Sequence, residues 1–305
     1  MYKNAVAIID LGSNSIRMDI VDIGKHRAEI LEEYRDTVRI SKGMSDDGNI
    51  KQEAFFRTAE VLKTFKHDMA EFGVVKVVAV ATEALRKARN ASGFIEHINR
   101  ETGILFEIIS GVQEAQYVFG GVSSDPELWM VSDGGDYVLM DTGGGSCEVM
   151  RVVKGVVLDV VSLPLGGVVL SEKYLESDVI SSASLFNLFG YISEVFGAVS
   201  WLNECRSMPL IAIGGSNKAV RKILKSGRLV ASDVDMVYES LLKADLVMRK
   251  RILKKNEDRA DIIIGGLAPL VYLTHSLNTN EIYISKKGIK DGILAELMKN
   301  GGDLQ

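Results

Sequence analysis

Two short segments of the chain are versions of one another, and both use residue types that can hold a phosphate. The first is Val6-Ala7-Ile8-Ile9-Asp10-Leu11-Gly12-Ser13-Asn14-Ser15 and the second Tyr137-Val138-Leu139-Met140-Asp141-Thr142-Gly143-Gly144-Gly145-Ser146. Each is an apolar run ending in Asp, then a small-residue turn closing in Ser, then a second apolar run at 16–21 or 147–153. The pattern predicts a β-hairpin with a glycine- and serine-rich tip, made twice. Glycine lets the backbone approach a ligand closely, successive turn N–H groups form an anion-binding concavity, and Ser hydroxyls add donors. Two tips facing each other would grip a phosphate chain from both sides. Asp10 and Asp141 could then hold a divalent cation against the phosphate oxygens, because Mg²⁺ takes one or two carboxylates plus phosphate and water. Gly, Asn, Asp and Ser also dominate ordinary hairpin turns. It is the repetition that favours the functional reading.

Further candidates lie where strands are expected to end. Thr82-Glu83-Ala84-Leu85-Arg86 follows the β-branched run 74–81, and ligands in open α/β sheets sit off the carboxyl ends of strands. The Arg86 fork suits phosphate, although a solvated arginine at a helix start explains it equally well. Ser110-Gly111-Val112-Gln113-Glu114-Ala115 follows the next run. Ser110 and Gln113 form a capping-box pattern, and Glu114 in the first turn gains from the helix dipole. A carboxylate there could equally orient or deprotonate a water for attack on phosphorus. Spacing alone does not choose between the two.

Gly214-Gly215-Ser216 and Gly265-Gly266 each follow a buried apolar run, 211–213 and 262–264, and precede a helix. These glycines either open the backbone to a phosphate or let helix pack on strand. No P-loop and no Gly-x-Gly-x-x-Gly occurs. His26, His67, His97 and His275 lack ligand spacing, Arg249-Lys250-Arg251 with Lys254-Lys255 reads as a solvated helix end, and Cys147 has no partner base.

The elements that must position these residues alternate strand and helix. Residues 29–39 continue the strand pattern, 42–48 form a loop, and 52–72 carry apolar residues at steps of three and four with Gly73 just beyond. Strands at 74–81 and 104–109 and helices at 92–102 and 112–120 complete a βββαβαβα order. The order recurs after the second hairpin, with helices at 182–202, 217–225, 234–253, 266–276 and 289–298 and strands at 210–213, 262–264 and 281–284. Two α/β domains sharing a cleft are expected, at 1–125 and 126–305, with packing of the last helix (about 288–300) back on the first domain left open.

The 305 residues are 47% hydrophobic and 25% charged, ordinary globular values that argue against disorder, and the net charge of −5 gives no hint of nucleic-acid binding. Cys147 and Cys205 supply neither a disulfide framework nor a metal cluster. With no room for a signal peptide before the first strand and no apolar run near 18 residues, a cytoplasmic protein away from membranes is expected.

Together these motifs resemble the exopolyphosphatase and guanosine pentaphosphate phosphatase family, within the actin, sugar kinase and Hsp70 superfamily. The resemblance also rests on Arg17, Val38-Arg39 before Gly43, Glu148 and Leu163-Pro164-Leu165-Gly166. It implies two ribonuclease-H-like (actin-like ATPase) domains flanking a central cleft. It also implies Mg²⁺-dependent removal of the terminal phosphate from inorganic polyphosphate or pppGpp, with Mn²⁺ as the alternative ion. By that resemblance Glu114 is the catalytic glutamate with Arg86 beside it. Phosphate contacts fall on Ser13, Asn14, Ser15, Gly143, Gly144, Gly145, Ser146, Gly214, Gly215 and Ser216, and the carboxylates of the metal and its waters are Asp10, Asp141 and Glu148. A homodimer is the family expectation.

Gln113 stands where many members have a second glutamate, and Gln116 and Val169 where many have Arg, which implies a weaker metal site and fewer anion contacts. Members with further helical domains use them to lengthen the polyphosphate channel, so highly processive digestion is not expected here. The leading expectation is an exopolyphosphatase, with a pppGpp phosphohydrolase, a sugar-kinase-like phosphotransferase and a non-catalytic polyphosphate or guanosine tetraphosphate sensor behind it.

Overall fold

The computed structural model describes residues 4–24, 27–44, 47–175 and 179–299. His26, residues 45–46 of the expected loop and residue 300 of the expected last helix lie outside the described residues. The chain divides into two compact units, one running to Gly121 and resuming at Ile289, the other Val122–Gly288.

The first unit opens with β1 (Ala5–Leu11), β2 (Ile16–Ile23) and β3 (Ala28–Asp36), an antiparallel meander. Helix α1 (Gln52–Glu71) leads to β4 (Lys76–Ala81), which pairs parallel to β1. Then come α2 (Glu83–Lys87), α3 (Ala91–Thr102), the two-residue β5 (Glu107–Ile108) and α4 (Gly111–Ser123). The sheet order is β3-β2-β1-β4-β5.

Strand β1 is buried along its whole length because both faces of the sheet are covered. Its side chains alternate, as the period of two requires: Ala5, Ala7, Ile9 and Leu11 enter a core with Leu62 and Phe65 of α1 and Phe94 of α3, while Val6 and Ile8 enter a second core. The edge strand β3 carries Glu29, Glu32, Glu33, Arg35 and Asp36, charges that discourage edge-to-edge pairing.

The second unit repeats the plan. After the short α5 (Trp129–Ser132) come β6 (Tyr137–Thr142), β7 (Cys147–Val153) and β8 (Val156–Leu163), again an antiparallel meander. Helices α6 (Gly167–Tyr174) and α7 (Ser182–Gly197) and a 3₁₀ turn (Ser200–Cys205) precede β9 (Leu210–Ile213), which pairs parallel to β6. There follow α8 (Gly215–Leu224), β10 (Arg228–Leu229), α9 (Ala231–Lys243), α10 (Leu246–Leu253), a second 3₁₀ turn (Lys254–Arg259), α11 (Ile263–Ser276) and β11 (Ile282–Ile284). The order β10-β11-β9-β6-β7-β8 is that of the first unit with one added edge strand. Helix α12 (Ile289–Lys299) belongs to the first unit, where Ile293 joins the core of Val6 and Ile8.

Several expectations change. Residues 262–264 form no strand: Ile263 and Ile264 begin α11, a helix buried on nearly every side, whose continuous apolar run periodicity cannot distinguish from a buried strand. Its Gly265 and Gly266 serve helix packing, since methyl groups there would lie 2.5 Å from Ser171 Oγ and 2.1 Å from Ser216 Oγ. The expected 234–253 helix breaks at Ala244, where Asp245 caps α10 by accepting the Met248 N–H at 2.7 Å. Arg249 is buried, its Nε donating to the Leu241 carbonyl at 2.9 Å. The 104–109 strand shrinks to two residues because Ile104 and Phe106 turn into the α1–α3 core.

Candidate active site

Both hairpin tips form, and to one hydrogen-bond plan. In the first, Gly12 N–H donates to the Ser15 carbonyl at 3.0 Å, and the chain after β3 returns to tie the tip down. Arg39 N–H donates to the Asn14 carbonyl at 2.9 Å, while Ser41 donates through both N–H and hydroxyl to the Ser13 carbonyl at 3.1 Å. In the second, Gly143 N–H donates to the Ser146 carbonyl at 2.9 Å, and the chain after β8 makes the tie. Gly167 and Val168 N–H donate to the Gly143 and Gly144 carbonyls, both at 2.9 Å. Because N–H and C=O of a trans peptide point in opposite directions, these ties turn the N–H groups of Asn14, Ser15, Gly144 and Gly145 away from the tethering segments. N–H groups left over at a turn in this way are donors that an anion can use.

The strand ends beneath the tips differ. Asp10 is the register partner of Arg17, whose Nη1 lies 3.8 Å from its carboxylate. Asp141, at the same place in its hairpin, is the register partner of Glu148. Cross-strand partners share a face, so the second hairpin sets two carboxylates side by side. Glu148 is 1% exposed and accepts the Ser162 hydroxyl at 2.6 Å. Burial, then the charges of Glu148 and Asp141, push the neighbouring Cys147 thiol far above its ordinary pKa.

At the end of β4, α2 presents Arg86. Its Nη1 donates to Glu114 at 2.7 Å and to the Ile109 carbonyl at 2.9 Å, and its Nε and Nη2 donate to Glu83 at 3.3 and 3.0 Å. Burial opposes the Arg86 charge, and Glu114 and Glu83 more than offset it, so its pKa lies above the ordinary arginine value. The α4 cap is complete: Ser110 N–H donates to Gln113 Oε1 at 2.9 Å and Gln113 N–H to Ser110 Oγ at 3.2 Å. Gln113 therefore serves the helix end, and the Glu114 carboxylate reaches Arg86.

A model of the Ppx/GppA phosphatase family matches residues 19–301. The chain belongs to that family. A guanosine-5'-triphosphate,3'-diphosphate pyrophosphatase of Pseudoalteromonas atlantica is 25% identical over 299 residues, which cover 96% of this chain and 58% of that protein. A putative exopolyphosphatase of Haemophilus influenzae is 25% identical over 308 residues, covering 97% and 92%. The chain thus spans little more than half of the first relative and nearly all of the second. Among solved structures, an exopolyphosphatase from Cytophaga hutchinsonii superposes with a TM-score of 0.88 at 26% identity over 97% of this chain and 98% of that one. A Ppx/GppA enzyme of Aquifex aeolicus gives 0.76 at 25% identity over 97% and 98%.

In this Ppx/GppA chain the 214–216 segment sits close under the second tip. Gly214 adopts φ +102°, a conformation glycine alone takes readily, and a methyl group there would lie 2.2 Å from the Thr142 carbonyl oxygen and 3.1 Å from Asp141 Oδ1. Asn217 ties the two together, its Nδ2 donating to the Ile213 carbonyl at 2.6 Å and to Thr142 Oγ1 at 3.5 Å. A methyl group on Gly215 would meet the buried Arg259 guanidinium at 2.1 Å, and Ser216 is buried against α11. Sequence reasoning passed over Arg259 and Asn217. Arg259 is 44 positions from Gly215, and no spacing rule connects them.

Among the described residues no three His, Cys, Asp or Glu side chains form a metal-holding group. Two carboxylates side by side, as at Asp141 and Glu148, are the kind of protein donor that Mg²⁺ takes together with phosphate oxygens and water.

Proposed function

We propose that this Ppx/GppA phosphatase is an exopolyphosphatase, releasing orthophosphate from the terminal phosphoanhydride of inorganic polyphosphate in a Mg²⁺-dependent reaction. The observation that carries the reading is the second hairpin, whose tip has its Gly143 and Gly144 carbonyls tethered, leaving the Gly144 and Gly145 N–H groups to a ligand, and whose strand ends pair Asp141 with Glu148. Polyphosphate as substrate is supported by two names among the similar proteins, the putative exopolyphosphatase of Haemophilus influenzae and the exopolyphosphatase from Cytophaga hutchinsonii, while the Pseudoalteromonas relative supports pppGpp as the alternative.

Each tip offers N–H groups that can bind phosphate oxygens. Asp141 and Glu148 would hold the ion, which when bound polarises the phosphoryl oxygens and spreads the charge that develops on them. Glu114 orients the attacking water and takes its proton. Arg86 fixes that carboxylate and shares its guanidinium with Glu83.

The test is Mg²⁺-dependent phosphate release from short polyphosphate, long polyphosphate and pppGpp in parallel, with Glu114→Ala as control. Release from polyphosphate that falls at least about 100-fold in Glu114→Ala is expected, the scale of a lost general base. Release from pppGpp alone would make the chain an alarmone phosphatase. Tight polyphosphate binding without release would make it a sensor.

A further inference from the structure

Helix α12 runs against α4, the helix that starts with the Ser110 cap and Glu114. A methyl group on Gly292 would lie 1.8 Å from the Tyr117 carbonyl oxygen, 2.5 Å from its carbonyl carbon and 2.7 Å from its Cα. The two helix backbones therefore touch with no side chain between them, one turn beyond Glu114. On its other side α12 is fixed to the sheet. Lys290 forms an ion pair with the buried Asp19 of β2, and Ile293 packs with Val6 and Ile8 of β1.

We infer that α12 is the brace that sets the height of Glu114, with Gly292 as the positioning residue. The inference rests on the proposed role of Glu114 in directing water. It follows from where α4 is held. The cap at Ser110 and Gln113 fixes the first turn, and the buried Ala115, Val118 and Val122 pack one side of the helix. The Gly292 contact differs from these in joining backbone to backbone, where no side-chain rotamer can absorb a displacement. Not every helical glycine marks such a contact: methyl groups on Gly93 and Gly190 would meet nothing within 4 Å.

A side chain at 292 must separate the helices by about 1 Å, a misplacement that costs on the order of 100-fold in rate when it reaches a catalytic group. Because α12 is anchored to the sheet, the shift falls on α4. The tips that bind phosphate belong to other segments and stay in place.

The experiment compares Gly292→Ala with Gly120→Ala in the full chain, since a methyl group at 120 makes only ordinary contact, 3.6 Å from Gly292 Cα. Two quantities are read: amide hydrogen exchange across α4, and kcat and KM for phosphate release from polyphosphate. Gly292→Ala is expected to speed exchange in α4 and to lower kcat at least about tenfold while KM changes less than about twofold, with Gly120→Ala close to the unaltered protein in both. Should Gly292→Ala fail to fold, Lys290→Gln loosens the same brace, and faster α4 exchange with a several-fold lower kcat at constant KM is expected. Unchanged α4 exchange, or a loss carried by KM, overturns the inference. If the unaltered chain releases no phosphate the functional reading fails, and the exchange comparison decides the brace by itself.

Discussion

Asp141 and Glu148 face each other across the β6–β7 ladder in the register that Asp10 and Arg17 occupy in β1–β2. One fold element made twice thus ends once in an internal ion pair and once in two like charges. A cation close to both carboxylates relieves their repulsion, so under the proposed Mg²⁺ dependence the second hairpin is the one expected to hold the ion.

Glu148→Gln is accordingly expected to raise the Mg²⁺ concentration for half-maximal phosphate release about 10- to 100-fold. Arg17→Gln should leave that concentration within about twofold and act on turnover or substrate affinity. A metal titration of each variant checks both, and equal shifts in the two would remove the distinction drawn between the hairpins.

Gly166 lies against the Gly144–Gly145 peptide, where a methyl group would come within 2.3 Å of the Gly145 carbonyl carbon and 2.4 Å of the Gly144 carbonyl. Gly166→Ala is expected to displace the tip and lower kcat/KM at least about 100-fold. Gly190→Ala, in the interior of α7 with nothing within 4 Å, should instead raise stability by about 0.5–1 kcal/mol. Activity assays and thermal unfolding of the two variants give opposite results if the contacts are as described.

Cys147 and Cys205 are fully buried. Burial pushes the Cys205 thiol up to about 11 and the Cys147 thiol higher still. At pH 8 both should resist a thiol-specific reagent in the native protein and react together on unfolding. Mass spectrometry of protein labelled with and without denaturant reads this directly, and native labelling of Cys147 would contradict its burial.

Glu127 accepts hydrogen bonds from Lys286 and Arg221, which hold its carboxyl at about 2 against an ordinary 4.5. A depressed native pKa adds stability above the unfolded value and loses it as pH falls through the native one. Urea midpoints of the unaltered chain are therefore expected to fall between pH 4.5 and 2 by a margin that Glu127→Gln removes. The group is exposed, so the margin should shrink at high salt. A pH dependence identical in both proteins would show that other carboxylates govern the acid limb.

Much of the fold was legible because its signals are local. Apolar runs ending in Asp and a small-residue turn specify a hairpin within about fifteen residues, and both hairpins form with the expected tips. The Ser110–Gln113 capping box is likewise written within four residues, and both of its bonds are present. Reading failed where local pattern is degenerate. The Ile262–Ile264 run suits a buried strand or a buried helix equally, and packing against α6 and α8 made it a helix. Arg249, read as solvated from its charge, is buried because the Leu241 carbonyl at the end of α9 needed a donor.

The sequence by itself determined which residues stand on turns, which face a core, and that one unit of structure is made twice, since these depend on periodicity and turn chemistry over short spans. Only the tertiary structure decided who meets whom: Arg86 and Glu114, 28 positions apart, Gly166 and the Gly144–Gly145 peptide, Arg259 and Gly215, Gly292 and Tyr117. Such contacts arise where segments distant in the chain are packed to backbone distance, and no local pattern encodes the partner.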